Sequence, residues 1–196
     1  MWEEMGSLQL EFMCSQGLRP HHQLLDMGCG ALRAGLFFIR YLDSGNYFGL
    51  DINTSLIEAG RKELANASLN HRTPRLLVDD QFRASRFGVT FDFAIAQSLF
   101  THLTMNHIIN CIAEVRGVLK EGGQFYATFF EAPSPAHTSP ILQIPGEVET
   151  HHDRDPFHYS IDEIRVLAEL AGTHFEYLGD WSHPRAQKMV RITNLG

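Results

Sequence analysis

Short apolar runs alternate with segments of helical periodicity along most of the chain. Five such runs are expected to be strands, at residues 24–27, 46–50, 75–78, 91–96 and 125–130. Between them, apolar residues recur at helical spacing, most clearly over residues 32–42 and 108–119. Strands that alternate with helices predict βαβ units, and therefore a mainly parallel sheet with helices on both faces.

Local signals predict where several elements begin and end. Residues 55–58 and 160–163 have the Ser-x-x-Glu spacing of a capping box, which predicts two helix starts. Gly122 and Gly123 are expected to end the helix over residues 108–119. Two closely spaced apolar runs near the C-terminus, residues 175–178 and 189–192, are expected to pair antiparallel. The predicted fold class is a Rossmann-like α/β domain whose seven-stranded, mostly parallel sheet has an antiparallel last strand.

Residues 132–157 interrupt the alternation. This segment contains five of the eight prolines and has no apolar periodicity. A stretch this long without regular structure inside a compact domain is typical of a functional loop or lid. We therefore expect a single domain over residues 1–196, with residues 132–157 as a loop or lid insertion.

Composition and charge limit the classes of protein to which the chain can belong. The chain has 196 residues, of which 44% are apolar and 20% charged, as in globular domains. Its net charge of −7 and its scattered basic residues argue against a nucleic-acid partner. No apolar run is long enough to span a membrane, and acids at Glu3, Glu4 and Glu11 do not fit a secretory signal. Three cysteines without paired spacing favour a reducing compartment, so we expect a cytoplasmic protein without a membrane partner.

The most informative segment follows the first strand, where Asp26 precedes two glycines, Gly28 and Gly30. Glycine lets a ligand approach the backbone closely, and the helix that follows offers free N–H groups. A dinucleotide fingerprint would need a third glycine where this chain has Arg33. Asp26 would repel a pyrophosphate but attract an ammonium group. The loop therefore favours a nucleoside with a cationic tail over a dinucleotide.

The second strand ends at Asp51, 21 residues after Gly30. An acid at about this distance from a glycine loop is placed to accept hydrogen bonds from ribose hydroxyls. A helix cap is the alternative role for Asp51, and loop bracing is the alternative for Asp26. Their joint occurrence at successive strand ends favours one nucleoside ligand held between them.

Four segments resemble motifs of the class I S-adenosylmethionine-dependent methyltransferases. Residues 25–30 resemble the signature loop, residues 47–52 the second motif and residues 91–96 the fourth-strand motif. Residues 118–123 resemble the stretch before the fifth strand, where Glu121 replaces a more common proline. The four segments occur in the correct order, and the resemblance covers nearly the whole chain.

The resemblance implies S-adenosylmethionine as the cofactor, with its methionine end beside the glycine loop. Asp26, Gly28 and Gly30 would line that end. Gln97, directly after the fourth strand, would contact the cofactor near the reacting sulfur.

The resemblance also implies where the nucleoside would lie. Asp51 would hold the ribose, and Ile52 would pack against the adenine face. An acid after the third strand would approach the adenine amine. Of the two candidates, Asp79 and Asp80, we prefer Asp80, with Phe82 beside it, although a solvated turn is an alternative for both.

Two histidines are candidates for catalysis. His102 follows the fourth strand and could act as a general base on an acceptor hydroxyl, although a structural histidine is the alternative. His152 lies in the insertion, in a run of histidines and acids over residues 151–155. Neighbouring side chains on an extended chain point in opposite directions, so we expect substrate contacts there and no metal site.

The sequence thus predicts an S-adenosylmethionine-dependent methyltransferase that acts on a small molecule, with oxygen favoured as the acceptor atom. The alternatives are an N-methyltransferase, a nicotinamide-dependent oxidoreductase and a non-catalytic subunit that binds a nucleoside. The absence of a third glycine at Arg33 argues against the oxidoreductase.

Overall fold

A computed structural model describes residues 2–194, with side chains from Glu4 onward. The strands in chain order are β1 (Leu24–Met27), β2 (Tyr47–Asp51), β3 (Arg75–Val78), β4 (Phe91–Ala96), β5 (Leu119–Glu131), β6 (Ile141–Gln143), β7 (Val148–Thr150), β8 (His158–Tyr159), β9 (His174–Gly179) and β10 (Lys188–Thr193). The α-helices are α1 (Trp2–Ser15), α2 (Gly35–Tyr41), α3 (Thr54–Asn66), α4 (Met105–Val118) and α5 (Ile161–Leu170).

Seven strands of the central sheet follow the order β3-β2-β1-β4-β5-β10-β9, and β8 is an eighth strand that pairs in parallel with the end of β5. Strands β1 to β5 run parallel, whereas β10 is antiparallel to both β5 and β9. The predicted fold class is confirmed, including the antiparallel last strand. Within the part of the chain that is described, no helix is both long enough and apolar enough to cross a bilayer.

Burial on both faces of the sheet explains why its strands are continuous apolar runs in the sequence. In β4, Ala94 and Ala96 belong to the core beneath α4 and α5, whereas Phe93 and Ile95 belong to the core on the opposite face. Helices α1, α2 and α3 cover that second face. The sheet is therefore a rigid layer, and its carboxyl-terminal edge can position side chains precisely.

One of the two predicted helix caps is confirmed and the other is wrong. Ser160 accepts a hydrogen bond from the Glu163 N–H (3.2 Å), and the Glu163 carboxylate accepts one from the Ser160 N–H (2.7 Å). Helix α3, in contrast, is capped by the Asn53 side chain, which accepts a hydrogen bond from the Ser55 N–H (2.9 Å). Asn53 is an equally good capping residue, so Ser55 lies inside the first turn.

The predicted end of the fourth helix at Gly122 and Gly123 is also wrong. Helix α4 ends at Val118, and β5 begins at the next residue. Gly122 has a φ of +71°, and the pairing of β5 with β4 shifts register at this point. The two glycines therefore form an irregularity within a strand, a position that favours glycine as strongly as a helix end does.

Residues 132–157 are more ordered than their composition predicts. Strands β6 and β7 form a short antiparallel hairpin, and Thr150 and His158 form a buried hydrogen bond (3.0 Å). The second ring nitrogen of His158 bonds the carbonyl oxygen of His137 (2.8 Å). Strands of three residues are too short to show an alternating pattern, so they could not be predicted from the sequence. A role of this segment as a lid stays a prediction.

Candidate active site

Two adjoining cavities open at the carboxyl ends of the parallel strands. The larger has a volume of about 320 Å³ and lies where the strand order reverses, between β1 and β4. Ligands bind at this position in open α/β sheets. Its lining includes Asp26, Gly30, Arg33, Gln97, His102 and Arg185.

The smaller cavity, of about 80 Å³, shares Gly28 with the larger one and has a mainly apolar wall. Asp51, Ile52, Asp80 and Phe82 lie in its lining. The structure thus brings all eight residues predicted for the cofactor to one continuous site. Their individual roles stay predictions.

The Asp51 carboxylate connects the ends of the first two strands. One of its oxygens accepts a hydrogen bond from the Gly30 N–H and the other from the Asn53 N–H, both at 2.8 Å. The side chain is buried, yet a carboxylate has about four acceptor positions, so it can still accept hydrogen bonds from a ligand. Gly30 has a φ of +54°, which explains why the loop needs glycine there.

Asp26 is a buried carboxyl group whose charge depends on pH near neutrality. Burial and the nearby charge of Asp51 raise its pKa, a hydrogen bond from Tyr47 opposes them, and the net result is a pKa of about 7. The Tyr47 hydroxyl donates that bond at 2.6 Å. Gly35 makes room for the phenol, since a Cβ at this position would lie 2.6 Å from the Tyr47 oxygen.

The two acids after β3 have different surroundings. Burial acts to raise the pKa of Asp79, but hydrogen bonds from Arg83, Gln81 and Arg86 outweigh it and lower the pKa to about 2. The Asp79 carboxylate therefore stabilises the turn that follows β3. Both acids lie in the lining of the smaller cavity, but Asp80 is exposed and is not engaged in the turn as Asp79 is, which fits the preference for Asp80.

His102 lies at the rim of the larger cavity and contacts the insertion. Its Nδ1 is 2.6 Å from an Asp155 carboxylate oxygen, and both side chains are about half exposed. His152, the other predicted catalytic histidine, is not part of the cavity lining, and its charge acts on Glu163 at the start of α5. Sequence reasoning missed Asp155, because 53 residues separate it from His102.

A buried polar network lies behind Gln97. The Gln187 side-chain oxygen accepts hydrogen bonds from Thr128 (2.7 Å) and Ser98 (3.0 Å), and the terminal amide of Gln97 lies 2.9 Å from His183 Nε2. Burial, together with the positive charges of Arg185 and Arg33, lowers the pKa of His183 to about 4. His183 is therefore neutral at physiological pH. No local pattern marked this network, because its members come from β5, the β4 end and the β9–β10 loop.

Within residues 4–194, no three His, Cys, Asp or Glu side chains are grouped so that they could hold a metal ion.

Comparison with known proteins assigns the class. The family described as "Methyltransferase domain" matches residues 25–125, just over half of the chain, so the protein belongs to this family. The match begins at the glycine loop and ends in β5, and therefore includes the strands that carry the two cavities. The resemblance to the S-adenosylmethionine-dependent methyltransferases, the enzyme class and its cofactor are confirmed.

Individual relatives differ in the atom that they methylate. The chain is 25% identical over 174 residues to a ubiquinone/menaquinone biosynthesis C-methyltransferase of Acidiphilium cryptum, covering 83% of this chain and 68% of that protein. An S-adenosylmethionine-dependent methyltransferase of Clostridium acetobutylicum has a similar fold, with a TM-score of 0.75, 12% identity and coverage of 100% and 93%. A glycopeptide N-methyltransferase solved with S-adenosylmethionine has a TM-score of 0.68, 15% identity and coverage of 96% and 94%. The family therefore does not define the acceptor atom.

Proposed function

We propose that this protein methylates an oxygen atom of a small molecule and that His102, oriented by Asp155, is the general base. The contact between these two side chains at the cavity rim is the observation that carries the proposal. An amine acceptor needs only to be bound in its neutral form, whereas a hydroxyl benefits from a base. The His–Asp pair therefore favours oxygen over nitrogen.

The residues of the two cavities fit S-adenosylmethionine. Asp26 is placed for the ammonium group, Asp51 for the ribose hydroxyls, and the apolar wall beside Ile52 and Phe82 for the adenine. When bound, the cofactor supplies a methyl group that its sulfonium has already activated. The protein contributes binding, orientation and proton transfer.

The His102 ring is arranged to take up a proton. A proton on Nδ1 is donated to the Asp155 carboxylate, which leaves Nε2 unprotonated and able to accept the proton of an acceptor hydroxyl. Asp155 then stabilises the positive imidazolium and keeps the ring in one orientation, as the acid of a Ser-His-Asp triad does.

We test the function first by binding. Calorimetry should show one S-adenosylhomocysteine per chain and no binding of NADH. A methyl-transfer screen with hydroxyl, amine and carboxylate acceptors should then give product with a hydroxyl. Binding of NADH without S-adenosylhomocysteine would contradict the proposal, and methylation of amines alone would reject oxygen as the acceptor atom.

Cofactor affinity should depend on pH through Asp26. An ammonium group pairs with the ionised carboxylate, so affinity should rise as the pH increases towards 7 and level off above it. Below pH 7 the slope should approach tenfold per unit, with release of a proton on binding. Calorimetry in two buffers with different ionisation enthalpies measures both effects. Asp26→Asn should remove the pH dependence, whereas a flat curve for the wild type would contradict this role.

The raised pKa of Asp26 also makes the stability of the unliganded protein depend on pH. Stability should change with pH in the opposite direction to cofactor affinity. The folded-state pKa of Asp26 lies above its ordinary value of 3.8, so the protonated form stabilises the fold. The unliganded protein should therefore lose stability as the pH rises from about 4 through 7. Urea unfolding at a series of pH values would show this loss, and Asp26→Asn should show a smaller one.

A further inference from the structure

Positive side chains are concentrated at one end of the site. Arg33 and Arg185 both lie in the lining of the larger cavity, where Asp26 is the one acid among the described residues, whereas Asp51, Asp79 and Asp80 line the smaller one. The chain as a whole has a net charge of −7, so this end is an exception. Both guanidinium groups are close enough to His183 to lower its pKa.

Arg185, unlike several other cations of this chain, has no acidic partner. Lys120 is paired with Asp92, and Arg191 with Glu176. Among residues 4–194, no carboxylate lies within ion-pair distance of Arg185. Its charge at the cavity is therefore not neutralised by the protein.

The backbone of Arg185 is held in place from two sides. Its N–H donates a hydrogen bond to His183 Nδ1 (3.1 Å). On the other side lies Gly146, in the turn between β6 and β7, where a Cβ would come within 2.7 Å of the Arg185 Cα. Gly146 also has a φ of +109°, so both the close contact and the backbone conformation require glycine at this position.

We propose that the methyl acceptor carries a carboxylate group and that Arg185 binds it. This inference rests on the proposed function and adds the class of substrate to it. The cofactor has a carboxylate of its own, for which Arg33 is the nearer cation in the chain, three residues after Gly30. Arg185 lies on a different loop, between β9 and β10, and is left for the acceptor. An acceptor that bears an ammonium group would be repelled by Arg185.

The test measures binding without turnover. Protein saturated with S-adenosylhomocysteine is titrated with benzoate, phenylacetate and 3-phenylpropanoate, and with the carboxamide and the amine of each skeleton. We expect saturable binding of at least one carboxylate, at least tenfold tighter than its amide or amine. Arg185→Ala should weaken that carboxylate about tenfold to a hundredfold, as expected for a charge-assisted hydrogen bond, and leave S-adenosylhomocysteine affinity unchanged.

A matched arginine and the cofactor itself serve as controls. Arg165 is an exposed arginine of α5 that is paired with Asp162 and lies outside the cavity lining, so Arg165→Ala should change neither affinity. Absence of carboxylate binding, an equal affinity in Arg185→Ala, or tighter binding of an amine would overturn the inference. If S-adenosylhomocysteine itself does not bind, the proposed function fails together with the inference; if it binds and the carboxylates do not, only the inference fails.

Gly146 provides an independent test through the position of Arg185. Gly146→Ala should push the Arg185 backbone away and weaken the carboxylate at least severalfold, with S-adenosylhomocysteine affinity unchanged. Gly122→Ala is the matched control, because Gly122 also has a positive φ (+71°) but nothing within 4 Å of its Cβ position. An equal loss in both variants would contradict a specific role of the Gly146 contact.

Discussion

His102→Ala should lower turnover about 100-fold to 10,000-fold, the range that a general base typically supplies. S-adenosylhomocysteine affinity should stay nearly unchanged, because His102 is at the rim of the cavity, outside the eight residues predicted for the cofactor. The side chain is also half exposed, so its removal leaves no cavity in the core and should alter the melting temperature little. Steady-state kinetics, calorimetry and thermal unfolding of the same preparation separate these effects.

Two further variants sharpen this prediction. Asp155→Ala should also lower turnover, by a smaller factor, since the ring keeps its base but loses its orientation and the stabilisation of its charged form. His107→Ala is the control: His107 is an exposed histidine near the start of α4, lies outside the larger cavity, and should retain full activity. Normal turnover of a folded His102→Ala variant would exclude His102 as the base and leave His152 as the remaining predicted histidine.

Asp51→Ala should weaken S-adenosylhomocysteine about tenfold to a hundredfold, which corresponds to roughly 1.5–3 kcal/mol for a charge-assisted hydrogen bond. The loss has two sources. The ribose hydroxyls lose their predicted acceptor, and the N–H groups of Gly30 and Asn53 lose theirs. The glycine loop should therefore also become less ordered in the unliganded protein.

Calorimetry measures this loss of S-adenosylhomocysteine affinity. Asp80→Ala is the control variant, because Asp80 lines the same smaller cavity as Asp51. Asp80 is exposed and has no bond to the glycine loop, so its replacement should cost severalfold at most. Hydrogen exchange should show faster exchange of the Gly30 amide in Asp51→Ala than in Asp80→Ala. Wild-type affinity in a folded Asp51→Ala variant would place the ribose elsewhere.

The site residues that the sequence predicted share one property: each is defined by its position along the chain relative to the end of a strand. Asp26, Gly28 and Asp51 directly end or follow strands, and the strands themselves are apolar runs with clear ends. In a parallel sheet such ends meet at one edge, so position along the chain is enough to bring these residues together. The residues predicted for β3 and β4 agree with the structure for the same reason.

The parts that the sequence could not predict depend on contacts between distant segments. Asp155 meets His102, and Gly146 meets Arg185, only because the insertion folds back against the segments that carry His102 and Arg185. Tyr47 looks like any core residue of a buried strand, yet its hydroxyl is the partner of Asp26. Local sequence patterns indicate which secondary structure a segment forms, but not where a loop packs in the fold. Residues that contact each other across the cavity therefore cannot be recognised from the sequence.

The insertion leaves the sheet and returns to it at a single point. The Ala132 N–H donates to the Tyr159 carbonyl oxygen (2.9 Å), and Phe130 and Glu131 at the end of β5 pair with His158 and Tyr159. Because its two ends are fixed side by side, the intervening chain can change in length and sequence while the sheet and the glycine loop keep their geometry. The segment is thus replaceable except at Asp155, which contacts His102, and at Gly146, which contacts Arg185. Grafting a different insertion that keeps these two residues should redirect the enzyme to new acceptors while it continues to use the same methyl donor.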